Sequence, residues 1–473
     1  MIQTKLFSGI IFALLFLNAC TTALQKNVSQ ATPSPDYYSE PHRPQFHFSP
    51  ERKWMNDPNG LVYYKGQYHL FYQYYPDSTV WGPMHWGHAV STDLSHWNHL
   101  PIALYPDSLG LIFSGSVVVD ENNTAGLQKG DEKTLVAIFT LHSMAGEKAG
   151  KTNFQNQGMA YSNDGGMTWV KYAQNPIIRN PGIKDFRDPK VFWHQPSKQW
   201  VMTLAVADRV HFYGSTNLRD WNKVGEFGIG HGSHGGVWEC PDLFPIKIAG
   251  TEREKWVLIQ SIGNGAPNGG SGTQYFVGDF DGKTFKNDNP KDSILWLDYG
   301  RDNYAGVTWS GIPSKDGRRL FLGWMSNWQY ATHVPTEKWR SAMTLPRTLS
   351  LHDTPHGLRI YAEPVKELQS LRRNEKTISV TNIRESLDVS SGSKTAEYLL
   401  DFDLNQTTAN DLGLELANSK GEKVRIGFEK QTNRLYIDRT NAGNTDFSKE
   451  FAGRHYAPHA DSSGVLHLSL IHI

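Results

Sequence analysis

Two cysteines in 473 residues, Cys20 and Cys240, leave no room for a disulfide framework or a cysteine-rich metal site. Charge of one sign is also missing. The 47 Lys and Arg balance 47 Asp and Glu, and basic residues cluster no further than pairs such as Arg318-Arg319 and Arg372-Arg373, so nucleic acid is not an expected partner. Helical periodicity is nearly absent, and only one long apolar run exists, Leu6 to Leu17. With 43 Gly and 24 Pro, turn-former usage is ordinary, which excludes collagen-like and low-complexity chains. What is present in excess is aromatic residues, 12% of the chain, suited both to β-rich cores and to stacking on sugars.

The run from Leu6 to Leu17 follows Lys5 and is too short to span a bilayer, but it has the length of a signal-peptide apolar region. It ends Leu17-Asn18-Ala19-Cys20, which is similar to the lipobox of bacterial lipoproteins. Residues 1–20 are therefore expected to be a lipoprotein signal peptide, with Cys20 lipidated and the exported chain anchored at the periplasmic face or the cell surface. An ordinary signal peptide with a chance cysteine is the plainer alternative. Residues 21–43 are polar, carry Pro33 and Pro35, and read as a tether.

A repeat organises the next three hundred residues. Ser91-Thr92-Asp93 leads to Trp97, Ser162-Asn163-Asp164 to Trp169, Ser215-Thr216-Asn217 to Trp221 and Asp279 to Phe285, so the aromatic recurs after 72, 52 and 64 residues. Each follows a strand-like stretch, itself preceded by β-rich runs such as Tyr68 to Tyr75 and Trp200 to Val206. A fifth run, Leu320 to Trp324, lacks the fourth-strand pattern. Additional short strands are expected near Gly60, Ser116, Pro189, Pro241 and Ala305. The pattern predicts an all-β fold, a five-bladed β-propeller over residues 44–365.

In a propeller the first strand of each blade lines the central channel. Those strands open with Trp54-Met55-Asn56-Asp57-Pro58-Asn59-Gly60, Phe113-Ser114-Gly115-Ser116, Phe186-Arg187-Asp188-Pro189, Trp238-Glu239-Cys240-Pro241-Asp242 and Asp302-Asn303-Tyr304-Ala305. Asp57, Asp188 and Glu239 thus fall at equivalent places in three blades and should converge on the axis. Converging acids suit metal binding or acid/base and nucleophilic work on a sugar. Singly, each motif has a plainer reading: Asp-Pro-Asn-Gly is a good turn, and Arg187-Asp188 could be a local ion pair. Three coinciding at one blade position are harder to explain as turns. His231 and His234 sit in a Gly-rich loop without a spaced partner motif, so no zinc site and no other metal is expected.

Taken in order and spacing, Trp-Met-Asn-Asp-Pro-Asn-Gly, Phe-Arg-Asp-Pro and Trp-Glu-Cys-Pro-Asp resemble glycoside hydrolase family 32, the fructan hydrolases and invertases. Supporting segments are Phe71-Tyr72-Gln73, Trp81-Gly82, His85-Trp86-Gly87-His88 and Gly323-Trp324. The resemblance covers nearly everything after Pro44. It implies a five-bladed propeller followed by a β-sandwich, a retaining mechanism without cofactor, and fructan or sucrose as substrate. Asp57 would be the nucleophile and Glu239 the acid/base, a role needing a proton near neutral pH; Asp188 would hold fructose hydroxyls, with Arg187 keeping it ionised. Asn56, Gln73, Trp81, Phe113, Ser114, Arg187, Tyr304 and Trp324 would surround the terminal fructose. Exo action on levan, inulin and sucrose is favoured. Endo-levanase or invertase action, and a non-catalytic carbohydrate-binding lipoprotein, are the alternatives.

Beyond a linker over 366–375, residues 376–473 carry strand-like runs at Thr377 to Val380, Glu397 to Leu404, Gly413 to Leu416, Val424 to Glu429, Arg434 to Asp438 and Leu466 to Ile471. They predict a β-sandwich covering an apolar side of the propeller, incomplete because the chain ends within a strand pattern.

Overall fold

The computed structural model describes residues 37–460 and 463–472; the expected signal peptide, Cys20 and most of the tether lie outside them. Among the described residues, strands formed by β-branched and aromatic residues make up nearly all of the regular structure, with one short α-helix at Met144–Lys148.

Residues 53–364 form five sheets, antiparallel except where Lys53-Trp54 pairs parallel with the short strand Trp339–Arg340. Their first strands are Lys53–Tyr64, Leu111–Asp120, Phe186–His194, Trp238–Lys247 and Tyr304–Thr308. Each touches the first strands of the sheets before and after it, and the fifth touches the first, so the five form a ring. The first four begin three to seven residues before the expected strand starts near Gly60, Ser116, Pro189 and Pro241, and the fifth one residue before Ala305, so the motifs that open them are paired as strand. Sheet five is completed by Arg347–Thr354 and Gly357–Pro364, after an excursion over residues 325–346 that hid the repeat. In sheets one to three the third strand ends in the expected turn, where Asp93, Asp164 and Asn217 accept backbone N–H groups. In sheet four that role falls to Asp281, which accepts from Lys283 and Thr284, rather than to Asp279, which pairs with Lys255.

The core is divided into slabs between sheets. Phe71, Trp86, Val117 and Phe139 fill the space between sheets one and two, Phe212, Trp238, Leu258 and Phe276 that between three and four. Trp54, Tyr68, Trp309 and Leu322 close the ring between five and one. Burial at about 25 cal/mol per Å² makes these apolar slabs the main adhesive.

On their inner edges the first strands have little ladder: the first pairs there only with the short parallel strand Trp339–Arg340 and with Ser310, so many inner N–H and C=O groups need other partners. Side chains of neighbouring sheets supply them. Ser116 Oγ donates to Pro189 O and accepts from Val191 N, Thr140 Oγ1 accepts from Asp188 N, Ser261 Oγ accepts from Ala305 N, and Ser310 Oγ donates to Val117 O. Lys190 donates to Thr308 O and lies 3.3 Å from Asp242, which accepts from Thr308 N.

Two corrections concern the ends. The described part of the expected tether, residues 37–43, is docked: Arg43 is buried, pairs with Glu40 at 2.6 Å, and lies over the Trp339 ring at 4.3 Å, while Tyr37 hydrogen-bonds His99. Its charge is balanced locally, which lets the segment fold onto the ring. After a single 3-10 turn at Lys366–Leu371, residues 372–395 contain no strand, so Thr377 to Val380 is not one; Ile378 and Val380 are exposed, with no neighbouring strand to pair them. The sandwich consists of a four-stranded sheet, Asp411–Ala417, Lys423–Glu429, Arg434–Asn441 and Arg454–Pro458, and a pair, Ala396–Asp403 with Val465–His472.

Gly115 shows how tightly sheet two is built beside the channel. A Cβ there would lie 2.2 Å from Ile138 O and 2.6 Å from Phe139 Cα, both backbone atoms of the paired strand. Gly115→Ala should therefore cost about 1–3 kcal/mol, read as a lower denaturation midpoint; an unchanged midpoint would contradict this packing.

Candidate active site

All five first strands share one irregularity near the start. Two residues face a single residue of the second strand: Asn56-Asp57 opposite Gln73, Phe113-Ser114 opposite Thr140, Asp188-Pro189 opposite Leu204, Cys240-Pro241 opposite Gln260, and Ala305-Gly306 opposite Gly323. Such bulges bend a strand and re-aim its side chains. Asp188, Cys240 and Ala305, each the first residue of its pair, have φ of 64°, 48° and 53°. The three acids are therefore near-equivalent rather than equivalent. Asp57 is the second residue of its bulge, Asp188 the first, and Glu239 stands immediately before one.

The bulges bring the acids together. Asp57 Oδ2 accepts from Ser114 Oγ at 2.7 Å and lies 3.6 Å from Cys240 Sγ; its Oδ1 accepts from Asn56 Nδ2 at 3.0 Å. Asn56 is itself held by Trp54 Nε1 at 2.8 Å. Asp188 Oδ2 accepts from Cys240 N at 3.1 Å and lies 3.7 Å from Cys240 Sγ. The Cys240 thiol thus sits between Asp57 and Asp188, and burial, then their charges, push its pKa well up. Glu239 accepts from Tyr304 OH and from Arg187, with Nη2 at 3.0 Å and Nε at 3.3 Å.

Arg187 departs from expectation. Its strong partners are Asp185, at 2.6 Å, and Glu239, while Asp188 Oδ2 is 4.0 Å from Nε. The positive φ of Asp188 turns its carboxyl toward the Cys240 N–H instead. Burial opposes the guanidinium charge, but Glu239, Asp188 and Asp185 together hold its pKa above the ordinary value. The arginine does not keep Asp188 easily ionised: desolvation, reinforced by Glu239 and Asp57, outweighs it and lifts Asp188 to about 7. Desolvation and the Glu239 charge lift Asp57 to about 6, against the opposing Ser114 hydrogen bond.

The remaining expected residues line the surroundings to different degrees. Phe113 stacks on His142 at 4.1 Å, with Trp81 edge-on at 5.9 Å. Gln73 is buried and donates to Asn59. Trp324 is fully buried behind Tyr304, packed on Trp54 and Trp328. Thr140, Gln260 (which donates to Glu239 O at 2.7 Å) and His142 carried no sequence signal, since only the strand register places them here. Asp185 was discoverable as the acid two residues before Arg187. His234 lies 3.2 Å from Asp208 and stacks on Trp238. Among the described residues no group of three or more His, Cys, Asp or Glu side chains is arranged to hold a metal ion.

The raised carboxyls have a consequence for stability. A folded pKa above the unfolded value of 3.8 means that folding favours the protonated form; the stabilisation is full below 3.8 and is lost as pH rises through about 6 for Asp57 and about 7 for Asp188. Asp57→Asn, which cannot ionise, should therefore be more stable than the parent at about pH 8, by on the order of 2–3 kcal/mol. The gain should shrink toward about pH 4. Equal denaturation midpoints at both pH values would contradict the burial of this charge.

Comparisons with known proteins agree with this arrangement. The family model for the glycosyl hydrolases family 32 N-terminal domain matches residues 47–364, and that for the family 32 C-terminal domain matches residues 367–472. The chain is 51% identical to a levanase of Bacillus subtilis over 439 residues, which is 92% of this chain and 64% of the relative, so it spans less than two thirds of that protein. It is 39% identical over 464 residues to an extracellular exo-inulinase of Aspergillus niger, covering 92% of this chain and 86% of the relative. Among solved structures, exo-inulinase from Aspergillus awamori superposes with a TM-score of 0.84 at 36% identity, covering 92% of this chain and 89% of the other. A fructofuranosidase from Schwanniomyces occidentalis complexed with fructose gives 0.72 at 34% identity, covering 90% and 87%. With both domains matched and the acids gathered from three sheets of one ring, the chain belongs to glycosyl hydrolase family 32.

Proposed function

We propose that this chain is a retaining hydrolase releasing terminal fructose from β-D-fructofuranosides: levan, inulin and sucrose. The observation that carries the reading is the meeting of Asp57, Asp188 and Glu239 at one end of the ring, with Arg187 beside them. Ser114 and Asn56 fix the Asp57 carboxylate while leaving lone pairs free to attack the anomeric C2. Glu239 gives its proton to the leaving oxygen as the C2–O bond breaks, so that Asp57 becomes a fructosyl ester. The same group then removes a proton from water, whose oxygen displaces Asp57 with overall retention. Asp188 accepts from sugar hydroxyls, and its charge steadies the oxocarbenium-like transition state. Aromatic rings at Trp81 and Phe113 offer a face for the sugar. The step requires no metal or cofactor.

Exo action is the reading favoured here. Beneath the acids the channel is filled by Lys190, hydrogen-bonded to Thr308 and close to Asp242, so substrate reaches the acids from one side alone, and the similarity to extracellular exo-inulinases favours a chain end as the part that enters. Extracellular relatives and the Leu17-Asn18-Ala19-Cys20 motif support an exported enzyme anchored through a lipid on Cys20.

Asp57→Asn and Glu239→Gln should each lower kcat on sucrose and levan by roughly 10³-fold or more, while thermal melts stay cooperative. Parent enzyme on levan should yield fructose alone from the earliest times. A near-parental Glu239→Gln enzyme would overturn the assignment, and early oligosaccharides would overturn exo action. In a bacterial host, Cys20→Ala should move the protein from the detergent phase to the aqueous phase; an unchanged partition would exclude the anchor.

A further inference from the structure

Beside the aromatic contact of Phe451 with Tyr330, the sandwich reaches the ring through a polar network. Arg439, in the strand Arg434–Asn441, uses its whole guanidinium. Its Nη1 donates to Asp302 Oδ2 at 2.6 Å, Nη2 to Tyr330 OH at 2.8 Å, and Nε to Phe451 O at 2.6 Å. Tyr330 OH in turn donates to Asp302 Oδ1 at 2.5 Å, closing a three-membered network in which the Arg439 side chain is 12% exposed. Phe451 packs edge-on against Tyr330 and lies under the guanidinium at 4.1 Å. A second attachment stands beside it: Asn268 Nδ2 donates to Tyr456 O at 2.9 Å, and Tyr456 N donates to Asn268 Oδ1 at 3.1 Å.

Both attachments fall on segments that flank Glu239. Asp302 is two residues before Tyr304, whose hydroxyl donates to Glu239. Tyr330 belongs to the excursion that carries Trp328, which packs on Trp324 at 4.8 Å and on Trp54 at 6.1 Å. Asn268 belongs to the loop that starts at Gly263, where a Cβ would lie 3.9 Å from Glu239 Oε2. The same loop is cross-tied, because Arg301 Nη1 donates to Asn268 O at 2.8 Å. Asp57, by contrast, takes its direct oxygen and nitrogen donors from sheets one and two, Ser114 and Asn56, with the Cys240 thiol of sheet four 3.6 Å away.

We infer that Arg439 is a positioning residue: the second domain holds the Glu239 wall of the site in register with Asp57, acting through Asp302, Tyr330 and Tyr304. The inference rests on the acid/base role proposed for Glu239. Its chemistry follows from the geometry. A clamp with three charge-assisted or backbone-directed hydrogen bonds fixes orientation as well as attraction. A shift of the Tyr304 segment by a fraction of an ångström would misplace the proton donor while leaving the nucleophile where it is.

The test compares leaving groups in the full-length enzyme. Sucrose needs a proton on its departing oxygen, whereas a nitrophenyl β-D-fructofuranoside needs little help. Arg439→Gln and Asp302→Asn should each lower kcat on sucrose by about 10- to 100-fold, lower kcat on the nitrophenyl substrate much less, and be non-additive when combined. Arg439→Lys should recover part of the loss. Glu239→Gln provides the reference for a leaving-group-dependent loss. If Glu239→Gln shows that dependence while Arg439→Gln and Asp302→Asn lose both substrates equally, or lose neither, the inference is overturned and the acid/base assignment stands. If Glu239→Gln itself shows no dependence, the functional reading fails and the inference with it. Thermal melts of the two single variants, one changed on each domain, separate loss of register from loss of fold: a parallel fall in melting temperature and in both activities counts against positioning.

Discussion

Everything at the site depends on one backbone constraint, the insertion of an extra residue at the same place in five strands. A strand with little or no ladder on its inner edge, the first having only the short parallel pairing of Lys53-Trp54 with Trp339-Arg340, can accommodate a two-against-one bulge. The bulge turns consecutive side chains along the channel instead of to alternate faces. That is how Asn56 can hydrogen-bond its own neighbour Asp57, and how the Cys240 N–H comes to point at Asp188 in the preceding sheet. The unpaired inner groups are then satisfied by Thr140, Ser116, Ser261 and Lys190, which tie sheet two to three, four to five and three to five. The same contacts that complete the fold also hold the acids in place.

Concentrating carboxyls in a partly dry pit opposes folding. Asp57 and Asp188 are lifted by burial first and by neighbouring carboxylates after it, and Arg187 is shared among Glu239, Asp185 and, at greater distance, Asp188. The apolar slabs between sheets, with Trp54, Trp86, Trp238, Trp309 and Trp324 fully buried, offset that cost. Function and stability here pull in opposite directions at the same residues.

Much of this was legible in the chain itself, and the rest was not for definable reasons. The turn motifs at Ser91, Ser162 and Ser215 are local hydrogen-bonding devices, so they can be read from sequence, and the three acidic motifs stand out because Pro and Gly accompany them. Register is different. Whether Arg187 meets Asp188, its chain neighbour, or Glu239, 52 residues on, depends on a φ value that no residue type dictates. Sheet five was obscured by the residues between Trp324 and Arg347, and the strand Arg454–Pro458 by its mixed polar composition. Thr377 to Val380 has β-formers but no partner. The reach of Arg439 to Asp302, 137 residues apart, carries no local signature at all.

The central claim is that Asp57 forms a covalent bond to the sugar while Glu239 handles the protons. It is tested most directly by trapping. Glu239→Gln enzyme mixed with a nitrophenyl β-D-fructofuranoside can complete the first step without acid assistance but lacks the base for the second, so the ester should accumulate. After acid quench and peptide mapping by mass spectrometry, the account predicts one fructosyl residue on the peptide containing Asp57. A label on the Asp188 or Cys240 peptide, or no label together with an inverted anomeric product, would contradict it.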